Sequence, residues 1–312
     1  MNGQTAPTLR TMRKGLPDLF RHFPYVGISA QFFPLYAFLY AAGEIDSPAA
    51  LLLMAPFVFS HAAGFAYNNL ADRGDPAFKK NPIAEGMISV TQARWIIAAC
   101  TAVSIALFGL LYRTPGAWLC YLLYLLLGFA YSGVGVRLKE TLAGPFVAAF
   151  TIWAAGPWAL ALEYDQLGEQ AILSLLAAIY LIYLGREIYH TIIDFENDLR
   201  AGYRTFAVRT SSIVQRAALA SSVSAGALGL LLSIQFTLAG APPNGIALLT
   251  GGVVVLAAGI EALYCLRHAG FHPATAFTLL RAGFILYAAL ILELPALAAA
   301  FLVWAFLMGG RS

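Results

Sequence analysis

Charged residues are scarce in this sequence: they make up 11% of its 312 residues, whereas 60% are hydrophobic. A soluble domain carries about 25% charged residues, so this composition excludes an ordinary soluble fold and indicates a chain that crosses a membrane several times. The stretch through His22 has no short apolar run with a small-residue cleavage site, which argues against a cleavable signal peptide. We therefore expect the first membrane span to act as its own insertion signal.

Cysteine and the common short catalytic motifs are also nearly absent. The three cysteines, Cys100, Cys120 and Cys265, lie in separate apolar runs without disulfide or metal-ligand spacing, which predicts buried thiols. The sequence has no nucleotide-binding glycine loop, nucleophile elbow or zinc-ligand spacing. These absences argue against the enzyme classes that such motifs mark.

Apolar runs long enough to cross a bilayer occupy most of the chain. They predict an all-α polytopic membrane protein with nine transmembrane helices around a central cavity. We expect one domain over residues 1–312, which begins with a cytoplasmic N-terminal arm at 1–23. The predicted spans are 24–42, 48–70, 92–112, 116–131, 141–162, 170–193, 213–238, 244–266 and 273–292. A short apolar stretch at 295–309 would add a tenth span or extend the ninth.

Basic residues concentrate in alternate connections between the predicted spans. They lie in the N-terminal arm and after spans two, four, six and eight, whereas the connections at 43–47 and 163–169 are acidic. The positive-inside rule therefore predicts a cytoplasmic N-terminus. It also places the ends of spans two and six on the same, cytoplasmic side. We expect an integral protein of a prokaryotic cytoplasmic membrane.

Two acidic clusters follow spans two and six. Asn68, Asp72 and Asp75 are spaced i, i+4, i+7, and Asp194 and Asp198 are spaced i, i+4, so each set shares one helix face. Carboxylates at the mouth of a membrane cavity are unfavourable unless cations or hydrogen bonds compensate them. Hard oxygen ligands near basic residues suit Mg²⁺ that holds a diphosphate. The four aspartates are the predicted metal ligands.

Polar and basic side chains near these clusters are the expected partners of a diphosphate. The predicted substrate-binding residues are Asn68, Lys79, Tyr131, Ser132, Arg137, Lys139 and Arg204. Membrane topology alone also accounts for basic residues in these loops. Glu187, His190 and Asp194 form a further ionisable series along span six. We expect His61 to be structural or substrate-facing, and the tryptophans, including Trp153, to serve mostly in interfacial belts and lipid packing.

Together these features resemble the UbiA superfamily of intramembrane prenyltransferases over nearly the whole chain. Four ordered segments carry the resemblance: Asn68-x3-Asp72-x2-Asp75, residues 80–89, Tyr131-Ser132 with Arg137 and Lys139, and residues 186–205. The resemblance implies Mg²⁺-dependent transfer of a prenyl group from a prenyl diphosphate to a lipophilic acceptor. It makes Asp72, Asp194 and Asp198 the expected catalytic residues. The expected partners are these two substrates and membrane lipid, without nucleic acid.

The sequence departs from the family pattern at four positions. Asn69 stands where many members have a second Asp, Asp75 comes one residue early, Asn81 replaces an Arg, and Thr191 occupies a position often held by Asp. Fewer carboxylates predict weaker metal affinity than in members with the full motifs. The acceptor and the prenyl chain length stay open.

Three other functions fit parts of the pattern. A membrane terpene cyclase would ionise the same diphosphate and let the cation cyclise, and a phosphoribosyl-type transferase would use the same scaffold. An ion-coupled transporter would use the acidic residues to bind its ion. Transporter sites usually lie near the bilayer midplane with access to both faces, whereas these acidic residues lie at one edge of the predicted spans.

Overall fold

The computed structural model describes residues 14–16, 19, 52–74, 81–133 and 135–240, and within these residues all regular structure is helical. The principal helices are α1 (Ala55–Ala71), α2 (Val90–Leu111), α3 (Pro115–Ser132), α4 (Gly144–Glu163), α5 (Gln170–Ile193), α6 (Phe195–Ala201), α7 (Phe206–Arg209) and α8 (Ser212–Gly240). The spans predicted at 24–42, 244–266 and 273–292, and the stretch at 295–309, lie outside the described residues.

Five helices in the described part of the chain are long and apolar enough to cross a membrane. They are Val90–Leu111, Pro115–Ser132, Gly144–Glu163, Gln170–Ile193 and Ser212–Leu230. Their bounds agree within a few residues with the predicted spans three to seven, and α1 covers most of the second predicted span. The chain is therefore an all-helical integral membrane protein over this region.

Capping residues explain where α2 and α3 begin. The Ser89 hydroxyl accepts from the backbone N–H of Gln92 (3.2 Å), and the Gln92 side chain accepts from the N–H of Ser89 (2.9 Å). This reciprocal pair is a capping box. The Thr114 hydroxyl accepts from the N–H of Ala117 (3.3 Å), and Pro115 occupies the first turn of α3, where its missing N–H leaves no bond unmade.

Aromatic rings fill the interior between α1, α2 and α3. Phe108 stacks against Tyr112 with ring centroids 4.1 Å apart and against Tyr121 at 4.0 Å, and Phe57 meets these rings edge-on. The Tyr121 hydroxyl also lies 2.5 Å from the hydroxyl of Ser104, so its polar atom is satisfied inside the bundle.

A close backbone approach joins α5 to α8. A Cβ atom on Gly226 would lie 2.5 Å from Cγ1 of Ile182 and 2.9 Å from its backbone nitrogen. Only glycine therefore fits at this position. Apolar surface alone gives little drive for helix association in lipid, so close packing at small residues is how membrane helices gain contact.

A π-helical turn at Ala149–Ala154 interrupts α4. His61 of α1 contacts this segment, since its Nε2 lies 3.0 Å from the Ile152 carbonyl and its Nδ1 lies 2.7 Å from the Phe57 carbonyl. His61 thus has the structural role that was one of its two expected roles.

Glu163 joins the end of α4 to the connection between α2 and α3. Its carboxylate accepts from the backbone N–H groups of Arg113 (2.8 Å) and Thr114 (3.0 Å) and from the Thr114 hydroxyl (3.0 Å). Nearby, the Tyr112 hydroxyl donates to the carbonyl of Leu53, just before α1 (2.8 Å). These bonds hold the α2–α3 connection against the ends of α1 and α4.

Replacing Glu163 with Ala should lower the stability of the bundle. The backbone N–H groups of Arg113 and Thr114 lose their acceptor, and the Thr114 hydroxyl keeps only the Leu162 carbonyl (3.2 Å), so each lost hydrogen bond should cost about 0.5–1.5 kcal/mol. The melting temperature of purified protein in nanodiscs should fall clearly below that of wild type. Glu169→Ala is the matched control, because Glu169 is exposed at the same end and its side chain does not cap α5. Equal melting temperatures for the two variants would contradict this role.

Candidate active site

Asp72, in the first acidic cluster, is buried, with 1% of its surface exposed. It caps the C-terminus of α1, where its N–H donates to the carbonyl of Asn68. The ammonium of Lys139 contacts both Asp72 oxygens, at 2.6 and 2.5 Å, and Oδ1 of Asn68 at 2.9 Å. Three oxygens from one helix end therefore surround a single cation.

Arg137 adds a second cation to this cluster. It donates to Oδ1 of Asp72 (2.8 Å), forms an ion pair with Glu140 (2.6 Å) and places its guanidinium over the ring of Tyr203, 5.6 Å from the centroid. Its backbone lies in the left-handed region (φ 40°, ψ 60°), which costs a non-glycine residue on the order of 1–3 kcal/mol. The contacts of its side chain hold Arg137 in this conformation.

The end of α3 contributes two hydroxyl groups. Ser132 is buried and donates to Oδ1 of Asn68 at 2.7 Å. Tyr131 lies within electrostatic range of Asp72, Glu187 and Asp198. The helix ends that carry the two acidic motifs are thus on the same side of the bundle, which we call the site end.

The second acidic motif follows α5. Asp194 ends this helix, and Asp198 lies in α6, where its Oδ2 accepts from the Thr205 hydroxyl at 2.9 Å. Partial burial raises the pKa of Asp194 and of Asp198; for Asp198, the Thr205 hydrogen bond and the charge of Lys139 oppose the rise. Both carboxylates would therefore be stabilised by an additional cation nearby.

Lys139 is the link between the two motifs, because it contacts Asp72 directly and its charge also acts on Asp198. Burial lowers the pKa of Lys139, and the charge of Asp72 opposes that shift. Within the stretches that the structure describes, no group of three or more His, Cys, Asp or Glu side chains is arranged to hold a metal ion. Asp75 and Lys79 lie outside those stretches, so the predicted four-aspartate ligand set stays a prediction.

The structure thus brings together Asn68, Asp72, Ser132, Arg137 and Lys139, all of which the sequence analysis singled out. Arg204 is exposed between Gly202 and Thr205 and is not among the described side chains that contact Asp72. Its predicted role in substrate binding stays a prediction.

A buried polar cluster beside the site pairs Glu187, which the sequence pattern singled out, with Trp153, which it did not. Trp153 donates its indole N–H to Glu187 (2.8 Å), Arg186 pairs with the same oxygen (2.6 Å), and the Arg186 guanidinium lies 4.7 Å from the Trp153 ring centroid. Tyr183 stacks on Trp153 at 4.3 Å. Trp153 therefore belongs to the protein interior and not to an interfacial belt. The residues around Trp153 in the sequence do not indicate its burial, because its hydrogen-bond partner Glu187 is 34 residues away on another helix.

The unusual asparagines have structural partners. Asn69 donates through Nδ2 to the carbonyls of Leu19 and Phe65, both at 3.0 Å. Asn81 donates to the carbonyl of Asn69 (2.7 Å) and accepts from the N–H of Ile83 (3.0 Å). A carboxylate could not donate to those carbonyls, so the amide at position 69 serves the fold. Thr191 bonds to the Ile188 carbonyl of its own helix (2.7 Å).

A sequence model of the UbiA prenyltransferase family matches residues 30–280. No curated protein matches the chain.

Several solved structures share the fold. A UbiA homolog from Archaeoglobus fulgidus bound to GPP and Mg²⁺ is 18% identical, with a TM-score of 0.65, covering 95% of this chain and 99% of that one. A UbiA homolog from Aeropyrum pernix K1 in its apo form is 20% identical, with a TM-score of 0.60 and coverage of 89% and 98%. A digeranylgeranylglyceryl phosphate synthase is 17% identical, with a TM-score of 0.57 and coverage of 94% and 98%.

Asn69→Asp, which restores the acidic residue of many family members, should destabilise this protein. The change removes the donor to Leu19 and Phe65 and places a carboxylate against two carbonyl oxygens, at a cost of about 1–3 kcal/mol. Thermal unfolding in nanodiscs measures the loss. Gln170→Glu makes the same amide-to-carboxylate change at an exposed position at the opposite end of the bundle and should be nearly neutral. An unchanged melting temperature together with tighter metal binding would show that position 69 serves a metal instead.

Proposed function

The chain belongs to the UbiA prenyltransferase family, and we propose that it transfers a prenyl group from a prenyl diphosphate to a lipophilic acceptor within the membrane. One observation carries the proposal: a buried carboxylate, Asp72, is paired with Lys139 and Arg137 at the end of membrane-spanning helices. This arrangement places cations for an anionic head group next to an apolar region for its hydrocarbon tail.

The oxygens around Lys139 suit a divalent cation. Oδ1 of Asn68 and both oxygens of Asp72 converge on one ammonium at 2.5–2.9 Å, so a positive charge already occupies this position. Asn68 and Asp72, with Asp194 and Asp198 across the site end, are the residues that would hold Mg²⁺. When bound, Mg²⁺ supplies neutralisation of the charge that develops on a departing diphosphate. A solved UbiA homolog of the same fold binds GPP and Mg²⁺, which supports this assignment.

The charge balance of the cluster explains why a diphosphate would need a further cation. Lys139 and Arg137 are matched by the carboxylates of Asp72 and Glu140, so these four side chains are neutral as a group. A diphosphate cannot enter such a neutral, partly buried cluster without additional positive charge. In the proposed reaction Lys139 and Arg137 turn from Asp72 to the phosphate oxygens, and their positive charge stabilises the leaving group.

The hydrocarbon part of the substrate would extend from the site end into the membrane region. Ionisation of the carbon–oxygen bond leaves an allylic cation on the prenyl group, and the acceptor nucleophile attacks that carbon. Catalysis in this scheme is chiefly electrostatic stabilisation of the diphosphate by Lys139, Arg137 and the cation held by the aspartates.

The site end faces the cytoplasm in this proposal, because the basic connections adjoin it and the acidic connection at 163–169 lies at the other end. Single cysteines at Ala84 and Glu169, both exposed, should react with a membrane-impermeant reagent from opposite sides in intact cells. The three native cysteines are first replaced. Labelling of both positions from outside would contradict this orientation.

The test of the proposed reaction uses purified protein in nanodiscs with prenyl diphosphates of several lengths, with and without membrane extract. Mass spectrometry identifies products, and diphosphate release gives the rate. We expect an extract-dependent prenylated product that requires Mg²⁺, and a loss of about a hundredfold or more in Asp72→Asn. Lys139→Gln should lower kcat/KM roughly tenfold to hundredfold without weakening binding of the corresponding prenyl alcohol, which lacks the anion.

Asp165→Asn is the matched control, because Asp165 is an exposed carboxylate at the opposite end of the bundle. Each variant is compared only if it retains the melting temperature of a folded protein. Full turnover in excess EDTA would overturn the metal-assisted scheme. A cyclised product that forms without extract would replace transfer by cyclisation of the same diphosphate.

A further inference from the structure

A groove of about 630 Å³ lies between α1 and α2, outside the Asp72 cluster. Its apolar walls include Leu70 of α1, Ile97, Ala98, Ala102 and Ile105 of α2, and Phe129 of α3. The two alanines leave the space between larger side chains open. We propose that this groove binds an anionic phospholipid of the surrounding bilayer, with one acyl chain in the groove and the phosphate at its basic end.

The polar end of the groove is positively charged. Arg73 follows the end of α1, and Arg94 lies near the start of α2; both are exposed and both line the groove at the site end. No Asp or Glu is among the described residues that line it. Basic pockets between transmembrane helices are the sites at which membrane proteins bind anionic head groups. The charge of the groove therefore favours an anionic lipid over a zwitterionic one.

The length of the groove fits a single acyl chain. Ile105 comes eleven positions after Arg94, and at about 1.5 Å per position this spans roughly 17 Å. One leaflet of a bilayer has about half of the ~30 Å hydrocarbon thickness, or roughly 15 Å. A lipid with its phosphate at Arg94 would therefore place the end of its acyl chain near Ile105.

The groove adjoins the candidate active site without being part of it. Arg73 also lines a smaller cavity of about 340 Å³, whose other walls include Ser132 and Arg137. Its guanidinium donates to the carbonyl of Leu70 (2.7 Å), whereas Asp72 is paired with Arg137 and Lys139. A lipid phosphate at Arg73 would thus lie beside the cluster and leave its ion pairs intact. The inference does not rest on the proposed prenyl transfer.

The test is lipid binding to the delipidated full chain, followed by native mass spectrometry. Phosphatidylglycerol and phosphatidylcholine with identical acyl chains are compared, and inorganic phosphate is added as a competitor. Each arginine near an anionic head group is worth roughly a fivefold preference, so phosphatidylglycerol should bind roughly thirtyfold more tightly. Millimolar phosphate should not displace it, because free phosphate has no acyl chain to bury. Equal retention of the two lipids, or displacement by phosphate, would overturn the proposal.

Substitutions of the two groove arginines test whether the groove is the lipid-binding site. Arg73→Gln with Arg94→Gln should reduce phosphatidylglycerol binding to the level of phosphatidylcholine. Arg113→Gln is the matched control, because Arg113 is exposed at the opposite end of α2 and also donates to a carbonyl near its helix end. A loss in Arg113→Gln equal to that of the double variant would overturn the proposal.

A steric variant separates loss of charge from loss of the groove. Ala98→Phe with Ala102→Phe should reduce retention of both lipids, because the new rings fill the space for the acyl chain. Both alanines are exposed, so these changes leave the interior packing of α2 in place. Unchanged retention in this variant, or stoichiometric displacement of phosphatidylglycerol by a prenyl diphosphate, would show that the lipid is not bound as proposed.

Discussion

The buried negative charge of Asp72 is the constraint on which the site end depends. With 1% of its surface exposed, this carboxylate has almost no water to stabilise it. A buried charge without a partner is strongly destabilising, commonly by several kcal/mol. Lys139 and Arg137 pair with it, and Oδ1 of Asn68 accepts hydrogen bonds from Lys139 and from the Ser132 hydroxyl beside it. The left-handed backbone of Arg137 is one consequence of bringing both cations to one carboxylate.

Hydrogen bonds and close packing inside the bundle fix the helix ends that meet at Asp72. Lipid provides little hydrophobic drive between helices, so contacts such as His61 with Ile152 and the glycine contact at Gly226 matter more than they would in water. His61 joins α1 to α4 through its contact with the Ile152 carbonyl. At the end of the bundle opposite the site end, Glu163 joins α4 to the α2–α3 connection by accepting hydrogen bonds. The ion pairs at the site end are therefore supported by bonds deep in the bundle.

The same arrangement links structure to the proposed chemistry. A neutral cluster of two cations and two carboxylates is stable by itself. Its oxygens nevertheless suit a metal ion, and its cations suit a diphosphate. Exchange of partners at Lys139 would therefore couple substrate entry to cation binding. Arg73 and Arg94 line the α1–α2 groove, which is a different surface, and Arg73 donates to the Leu70 carbonyl and not to Asp72.

The sequence by itself determined the membrane spans from 92 to 238, the positions of the acidic motifs at helix ends and the basic segment near Lys139. These features follow from local hydropathy and from spacing along one helix, which neighbouring residues suffice to define. Only the tertiary structure decided which residues pair. Lys139 meets Asn68 from 71 residues away, and Trp153 meets Glu187 from another helix. Asn69 proved to be a donor to the carbonyl of Leu19, 50 residues away. Which residues become partners depends on how the helices cross in space, and the spacing of residues along a single helix does not predict that crossing.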